Sequence, residues 1–474
     1  MSTASSSSSP GESIAPVQSM GFRDLVLFYV VTGISLRWIA TAAGHGPSSL
    51  IIWFLGFILL YVPLALSVIE LSSRYPAEGG FYVWTKKAFG ERAGFLTAWM
   101  YWVSNLPYFP GVLYFAASNV LFLHPRLQNL SHKPAYFISF SVSILIGLTV
   151  LNILGLNLAK WAHNLGAVAM WIPVLIIVVL GFVAWREFGS ATPFTLTAWT
   201  PRVSLQESFF WSIVIFSFIG SESASLMADE IQNVRRNIPR ALLLAGPTIT
   251  LCYMLGTFFV MLALPSSESS NLEGLAQAIS RAASRLHLTG ITGFAALLIA
   301  ISNIGAAGAY LAAAARLPFV AGIDGYLPRA FGQLHPRFKT PWVSVLGQGL
   351  LGILFVFLGQ AGTSVGGAYE VLAAIAVAIT MVPFMFLFAS MIRLQEEEAP
   401  PGTIRVPGGR PVAVLLGCLG FATAALATVL SLIPPPEEAN RVLFFVKILG
   451  SSVGLVLLGL LLFHLGQRRQ STTR

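Results

Sequence analysis

The chain has 474 residues, 55% of them hydrophobic and only 10% charged, with a mean hydropathy of +0.76. A water-soluble domain carries about 25% charged residues, so the charges here are too few to coat a soluble surface. The net charge of +9 follows from basic residues on the cytoplasmic loops of a membrane protein, so the expected partner is the lipid bilayer and no nucleic acid.

Residues 1–20 are rich in Ser and lack an apolar run, which predicts a disordered cytoplasmic tail and no signal peptide. Beyond them the apolar residues fall in continuous blocks of about 17–25, the length of a bilayer-crossing helix. Barrel strands would alternate instead. Twelve spans are predicted, at 22–43, 50–71, 95–121, 135–154, 161–183, 208–230, 241–264, 291–321, 343–358, 369–392, 412–433 and 442–465. The loop 75–92 is basic with a Gly79-Gly80 break, and 269–286 reads as an amphipathic external helix. Residues 466–474 form a second cytoplasmic tail, and no soluble domain is expected. With a cytoplasmic N-terminus, 19 Lys and Arg lie inside and 7 outside. That positive-inside bias also favours an even helix count. The expected location is the plasma membrane, multi-pass, with both termini cytoplasmic.

Two spans look interrupted. The first reads Thr32-Gly33-Ile34-Ser35 near its middle, and the sixth reads Ser217-Phe218-Ile219-Gly220-Ser221-Glu222-Ser223. A single Gly in a membrane helix more often serves close packing. The spacing of these two, five helices apart, instead suits inverted repeats that each open on a broken helix, with a binding site at the midplane. A broken helix frees N–H groups at the positive end of its resumed half and carbonyls at the end of the preceding half. Amides near Gly33 would then hold a carboxylate, and carbonyls from Phe216 to Ile219 an ammonium. No charged side chain is required.

Charged residues inside a membrane default to functional readings. Glu222 is read as a protonatable switch or a pocket brace, against a plain backbone cap. Arg37 is read as pairing with Glu222 or with an acidic substrate group, against pairing elsewhere or snorkelling outward. Asn105 is a polar candidate for the pocket, while Ser302 and Asn303 read as interhelical hydrogen-bonding residues. Cys252 and Cys418 read as small core residues. The seven His fall near span ends or in loops. No metal, nucleophile or filter constellation stands out, so neither an enzyme nor a channel is expected, and no cofactor.

Three stretches in order, residues 70–82 (ELSSRYPAEGGFY), 217–225 with 237–241, and 315–316 with 324–328 and 335–336, resemble the amino acid–polyamine–organocation permeases. The resemblance implies an all-α integral membrane protein with a LeuT-like fold. Its ten core helices would form a 5+5 inverted repeat (21–185 and 204–393), helices 1 and 6 broken, with two peripheral helices over 411–465. It implies a secondary transporter, permease or exchanger, moving amino acids by alternating access. The sixth helix is especially similar to that of bacterial arginine/agmatine antiporters. On that match Phe216 covers the substrate, Ile219 lines the pocket and Glu222 is a pH-responsive carboxylate. Asn105 is a polar pocket residue, and Thr32 and Gly33 meet the substrate carboxylate. Ile34 and Gly220 complete the expected pocket, with Phe216, Glu222 and Arg37 as gating or coupling residues. The family's first-helix motif usually reads Gly-x-Gly-Ile-Phe. Here Val31 and Ser35 replace its first Gly and its aromatic, and Met170 stands where proton-coupled relatives carry Lys. The implied ligand is an amino acid or related amine. Proton coupling and a homodimer are left open, as are two alternative functions, an amino-acid sensor on a transporter fold and a polyamine carrier.

Overall fold

The computed structural model describes residues 20–205, 207–288, 290–360, 364–434 and 441–473. The expected N-terminal tail lies outside them except for Met20. The described chain is helical throughout: α1 (Phe22–Gly33), α2 (Leu36–Gly44), α3 (Ser48–Gly56), α4 (Val62–Arg74), α5 (Phe81–Phe89), α6 (Glu91–Val120), α7 (Pro134–Leu154), α8 (Leu156–Phe188), α9 (Ser208–Phe216), α10 (Val234–Ala263), α11 (Gly274–Arg285), α12 (Ile291–Ala314), α13 (Arg316–Ile323), α14 (Trp342–Gln360), α15 (Val365–Leu394), α16 (Gly409–Ser431) and α17 (Arg441–Thr473).

Among the described residues, eleven helical segments are long and apolar enough to cross a bilayer. The expected sixth span is absent from that set because it is divided: nine residues of α9, an irregular turn, then a 3-10 stretch Ser223–Glu230. The first span is also divided, with Ile34 and Ser35 in extended conformation between α1 and α2. A third irregularity joins α3 to α4, where Phe57–Tyr61 form a π-helical turn. Pro63 follows after Val62, and its missing N–H and bulky ring disfavour a regular α-helical turn there. Pro107 and Pro110 lie inside α6, which continues through both.

Burial sorts the helices. In the most apolar windows, 89% of the first span and 83% of α15 are inside the protein, against 33% for α16 and 17% for the last span. The first span, α6, α12 and α15 therefore form the centre. The outer helices show Leu415, Val429, Leu457 and Leu461 at their surfaces, as lipid contact requires. Inside, small residues set the spacing: a Cβ on Gly166 of α8 would lie 2.8 Å from the Gly305 Cα of α12. Only glycines allow that backbone approach.

Two details correct the sequence reading. Cys418 is exposed on α16, not buried in the core. Ser302 and Asn303 bond to the Ile299 carbonyl of their own helix, since buried hydroxyl and amide groups find the nearest free lone pair first. The helix expected within 269–286 is α11, which buries Leu275, Ala278, Ile279 and Ala282.

Candidate functional site

The two broken spans meet at the centre. Gly220 has φ +113°, and a Cβ there would lie 2.6 Å from the Thr32 carbonyl oxygen. The left-handed conformation and the close approach both demand glycine. Thr32 hydroxyl donates to Phe28 O at 2.8 Å, and Ser223 hydroxyl donates to Thr32 Oγ1 at 3.1 Å, which ties the sixth span to the first.

Tyrosine hydroxyls satisfy the backbone groups freed by the breaks. Ser35 N donates to the Tyr253 hydroxyl at 2.9 Å, and that hydroxyl faces Gly33 O and Ser217 O, each at 3.2 Å. One proton thus serves a carbonyl from each break. Tyr310 hydroxyl donates to Thr32 O at 2.7 Å. The break falls on Ile34 and Ser35 and not on Gly33, which ends α1. The amides of Leu36 and Arg37, first in α2, have no hydrogen-bond acceptor among the described residues, as expected of the first turn of a helix.

Between the breaks lies a narrow cavity. Of the residues singled out in the sequence, Thr32, Gly33, Ile34, Arg37, Asn105, Phe216 and Ile219 line it. Gly220 and Glu222 stand behind its wall. Asn105 spends Nδ2 on Tyr101 O at 2.8 Å, leaving Oδ1 as a free acceptor among the described residues. Phe216 meets Trp38 edge to face, with ring centroids 6.2 Å apart. Glu222 is wholly buried and accepts from Tyr101 hydroxyl at 2.7 Å and from Gly220 N at 2.8 Å. It braces the sixth break and does not pair with Arg37. The reason is phase: two extended residues separate Gly33 from α2, so Arg37 does not share Gly33's helical face. Arg37 neither pairs with a carboxylate among the described residues nor snorkels to the surface. It is 2% exposed and packed among rings.

The sequence reading missed Trp38, Tyr101, Tyr108, Tyr253 and Tyr310, all at the cavity wall. The signal for the four tyrosines was a phenol in mid-span, where a buried hydroxyl needs a partner.

Polar contacts also join the outer ends of the two broken spans. On the side of Met20, its N–H donates to Glu230 O at 3.0 Å, and Glu230 carboxylate takes Arg316 Nη2 at 2.7 Å with both residues buried. On the side of α11, His45 Nδ1 lies 2.6 Å from Glu207 and stacks on Phe210 at 3.9 Å. That hydrogen bond holds the Glu207 carboxyl below its usual range.

The amino acid permease family matches residues 20–453. The chain belongs to the amino acid permease family. The permease is therefore a multi-pass membrane protein and a secondary transporter, not an enzyme. It is 28% identical to an uncharacterised transporter of Legionella pneumophila over 87% of its own length and 89% of the relative's. It is 24% identical to a probable agmatine/putrescine antiporter of Lactococcus lactis, over 82% of the permease and 84% of the relative. It is also 24% identical to the glutamate/gamma-aminobutyrate antiporter of that organism, over 90% and 85%.

Proposed function

We propose that the permease carries an amino acid, or a related amine, across the plasma membrane by alternating access, with both termini cytoplasmic. The substrate sits between the two breaks. Its carboxylate meets the free amides of Leu36 and Arg37, close to Thr32, Gly33 and Ile34. Its ammonium faces carbonyls of the Phe216–Ile219 turn and Asn105 Oδ1, and Phe216 closes over it. The convergence of both broken spans on one buried cavity carries this reading. Relatives named for agmatine, putrescine, glutamate and gamma-aminobutyrate support the span of amines and amino acids. Arg37 at the wall favours an amino acid over a diamine, since like charges in a low-dielectric pocket repel strongly. Alternating access would proceed by movement of one five-helix half (21–185) against the other (204–393). Met20, Glu230 and Arg316 would act at the cytoplasmic side, His45 and Glu207 at the outer side.

The test is a thermal-shift screen of the purified permease against amino acids and amines, because a ligand that binds only the folded state stabilises it. The stabilising ligand should then exchange across proteoliposome membranes. Phe216→Leu, which keeps apolar volume and removes the ring, should weaken binding about tenfold or more. A screen in which nothing stabilises the protein, or a ligand that binds and is never moved, contradicts the proposal.

A further inference from the structure

Arg37 projects from the second position of α2 and is 2% exposed. Among the described residues its guanidinium makes one hydrogen bond of ordinary geometry, from Nε to Ser35 Oγ, 3.1 Å away. The guanidinium then passes over the faces of Trp38, Tyr108 and Tyr369, at 4.0, 5.2 and 6.0 Å from their centroids. Opposite it stands Gly111 of α6, where a Cβ would come within 3.2 Å of Nη1. The hydroxyl of Tyr369 lies beside the guanidinium and has no other partner among the described residues.

Rings attract a cation but do not neutralise it. A buried charge without a counter-charge is strongly destabilising, and this one sits at a helix N-terminus, whose dipole is itself positive. Among the described residues no carboxylate lies within salt-bridge distance of Arg37. The other deeply buried carboxylates are committed elsewhere. Glu222 is held by Tyr101 and Gly220, Glu230 by Arg316, and Glu70 by Gln395 and the Val406 amide. Among the described residues the counter-charge is missing, and the cavity is where an anion can reach Arg37.

We infer that the permease selects a substrate with a second carboxylate, an acidic amino acid, and that Arg37 binds that side-chain carboxylate. This rests on the reading of the cavity as a zwitterion site. Two anion-binding places are present and are distinct: the free amides that open α2, and the guanidinium fork beyond them at Gly111. Six residues separate Gly111 from Asn105 along α6, about 9 Å of helix rise, so the fork stands at another level from the polar group nearest the zwitterion. Tyr108 lies between and offers its ring to the intervening methylenes. A planar fork suits two carboxylate oxygens.

The experiment measures binding of L-glutamate, L-aspartate, L-glutamine and L-asparagine to the full-length permease, in chloride-free and chloride buffers, followed by exchange in proteoliposomes. One of the acids should bind at least about thirtyfold more tightly than its own amide, as expected for a desolvated charge pair. Arg37→Gln should abolish that preference, and Arg37→Lys should keep part of it. Should Arg37→Gln fail to fold, the acid-to-amide ratio of the wild type decides alone. Equal binding of acid and amide overturns the inference. So does a chloride requirement for binding of neutral amino acids, which would make chloride the anion. Loss of all zwitterion binding in folded Arg37→Gln, with no acid preference in the wild type, assigns Arg37 to the α-carboxylate and also overturns it. In each of these cases transport of some amino acid leaves the proposed function standing. If no amino acid or amine binds at all, both fall.

Discussion

At the scale of single residues, the two breaks rely on glycine unequally. A Cβ on Gly220 would strike the Thr32 backbone and reach 3.0 Å from the Tyr310 hydroxyl, at a φ of +113°. A Cβ on Gly33 would meet only the terminal methyl of Ile249, at 2.5 Å, and that end of a side chain can turn away. Gly220→Ala should therefore unfold at much lower temperature or fail to accumulate, with strain of about 1–3 kcal/mol from the left-handed backbone alone. Gly33→Ala should lose about 1 kcal/mol and still bind ligand. Thermal unfolding of both variants checks the contrast, and equal losses would contradict it. The sequence made Gly33, Ser35, Ser217 and Gly220 visible, because small residues stand out in an apolar run. Tyr253 and Tyr310 were hidden. Their rings read as core, and their partners in the first break lie 218 to 278 residues away, which no local pattern reports.

At the scale of elements, the sixth span shows how a membrane helix tolerates a break. The chain leaves α9 at Phe216 and resumes as a 3-10 stretch at Ser223, so several backbone groups lose their helical partners. In hydrocarbon such groups cost several kcal/mol each unless satisfied internally. Glu222 supplies two acceptors, to the Gly220 amide and the Tyr101 hydroxyl. Glu222→Ala removes both and should cost about 1–3 kcal/mol for each buried donor left unsatisfied. Glu222→Gln retains one acceptor and can donate its amide to a rotated Tyr101 hydroxyl, so it should unfold close to wild type. Thermal unfolding separates them, and an alanine variant as stable as the glutamine variant would remove the brace from the account. Flux through Glu222→Gln further distinguishes a brace from a proton carrier, since the amide does not titrate. Eleven of the expected spans were legible from apolar length among the described residues, with shifted ends. The π-helical turn at Phe57–Tyr61 was not, because Pro63 alone does not say whether a helix kinks, ends or widens. The path of Arg37 was not legible either, since its direction depends on the two residues by which α2 is displaced from α1.

At the scale of the whole molecule, the loop between α4 and α5 carries a titratable group outside the spans. Burial pushes the Glu78 carboxyl up to about 7; Arg316 opposes this, while Glu230 and Asp229 reinforce it. A solvated glutamate titrates near 4.3. Between those values the folded arrangement holds a proton that the unfolded chain has released, so raising the pH across that interval costs stability. Above the upper value both forms are ionised and the loss is constant. The unfolding temperature of the wild type should therefore fall relative to Glu78→Gln from about pH 5 to 7 and run parallel above. A difference that does not change with pH would show that Glu78 is solvated. The basic bias of the loops and the order of the spans suffice to read the membrane class of this chain. What lay beyond them is three-dimensional: which helices take the centre, and that the two breaks touch.

That contact is the central claim, and an electron cryo-microscopy map of the permease with a saturating transported amino acid tests it most directly. The account expects ligand density between the Leu36 and Arg37 amides and the Phe216–Ile219 turn, with both spans unwound around it. A ligand bound elsewhere, or two continuous helices with packed side chains between them, would contradict it.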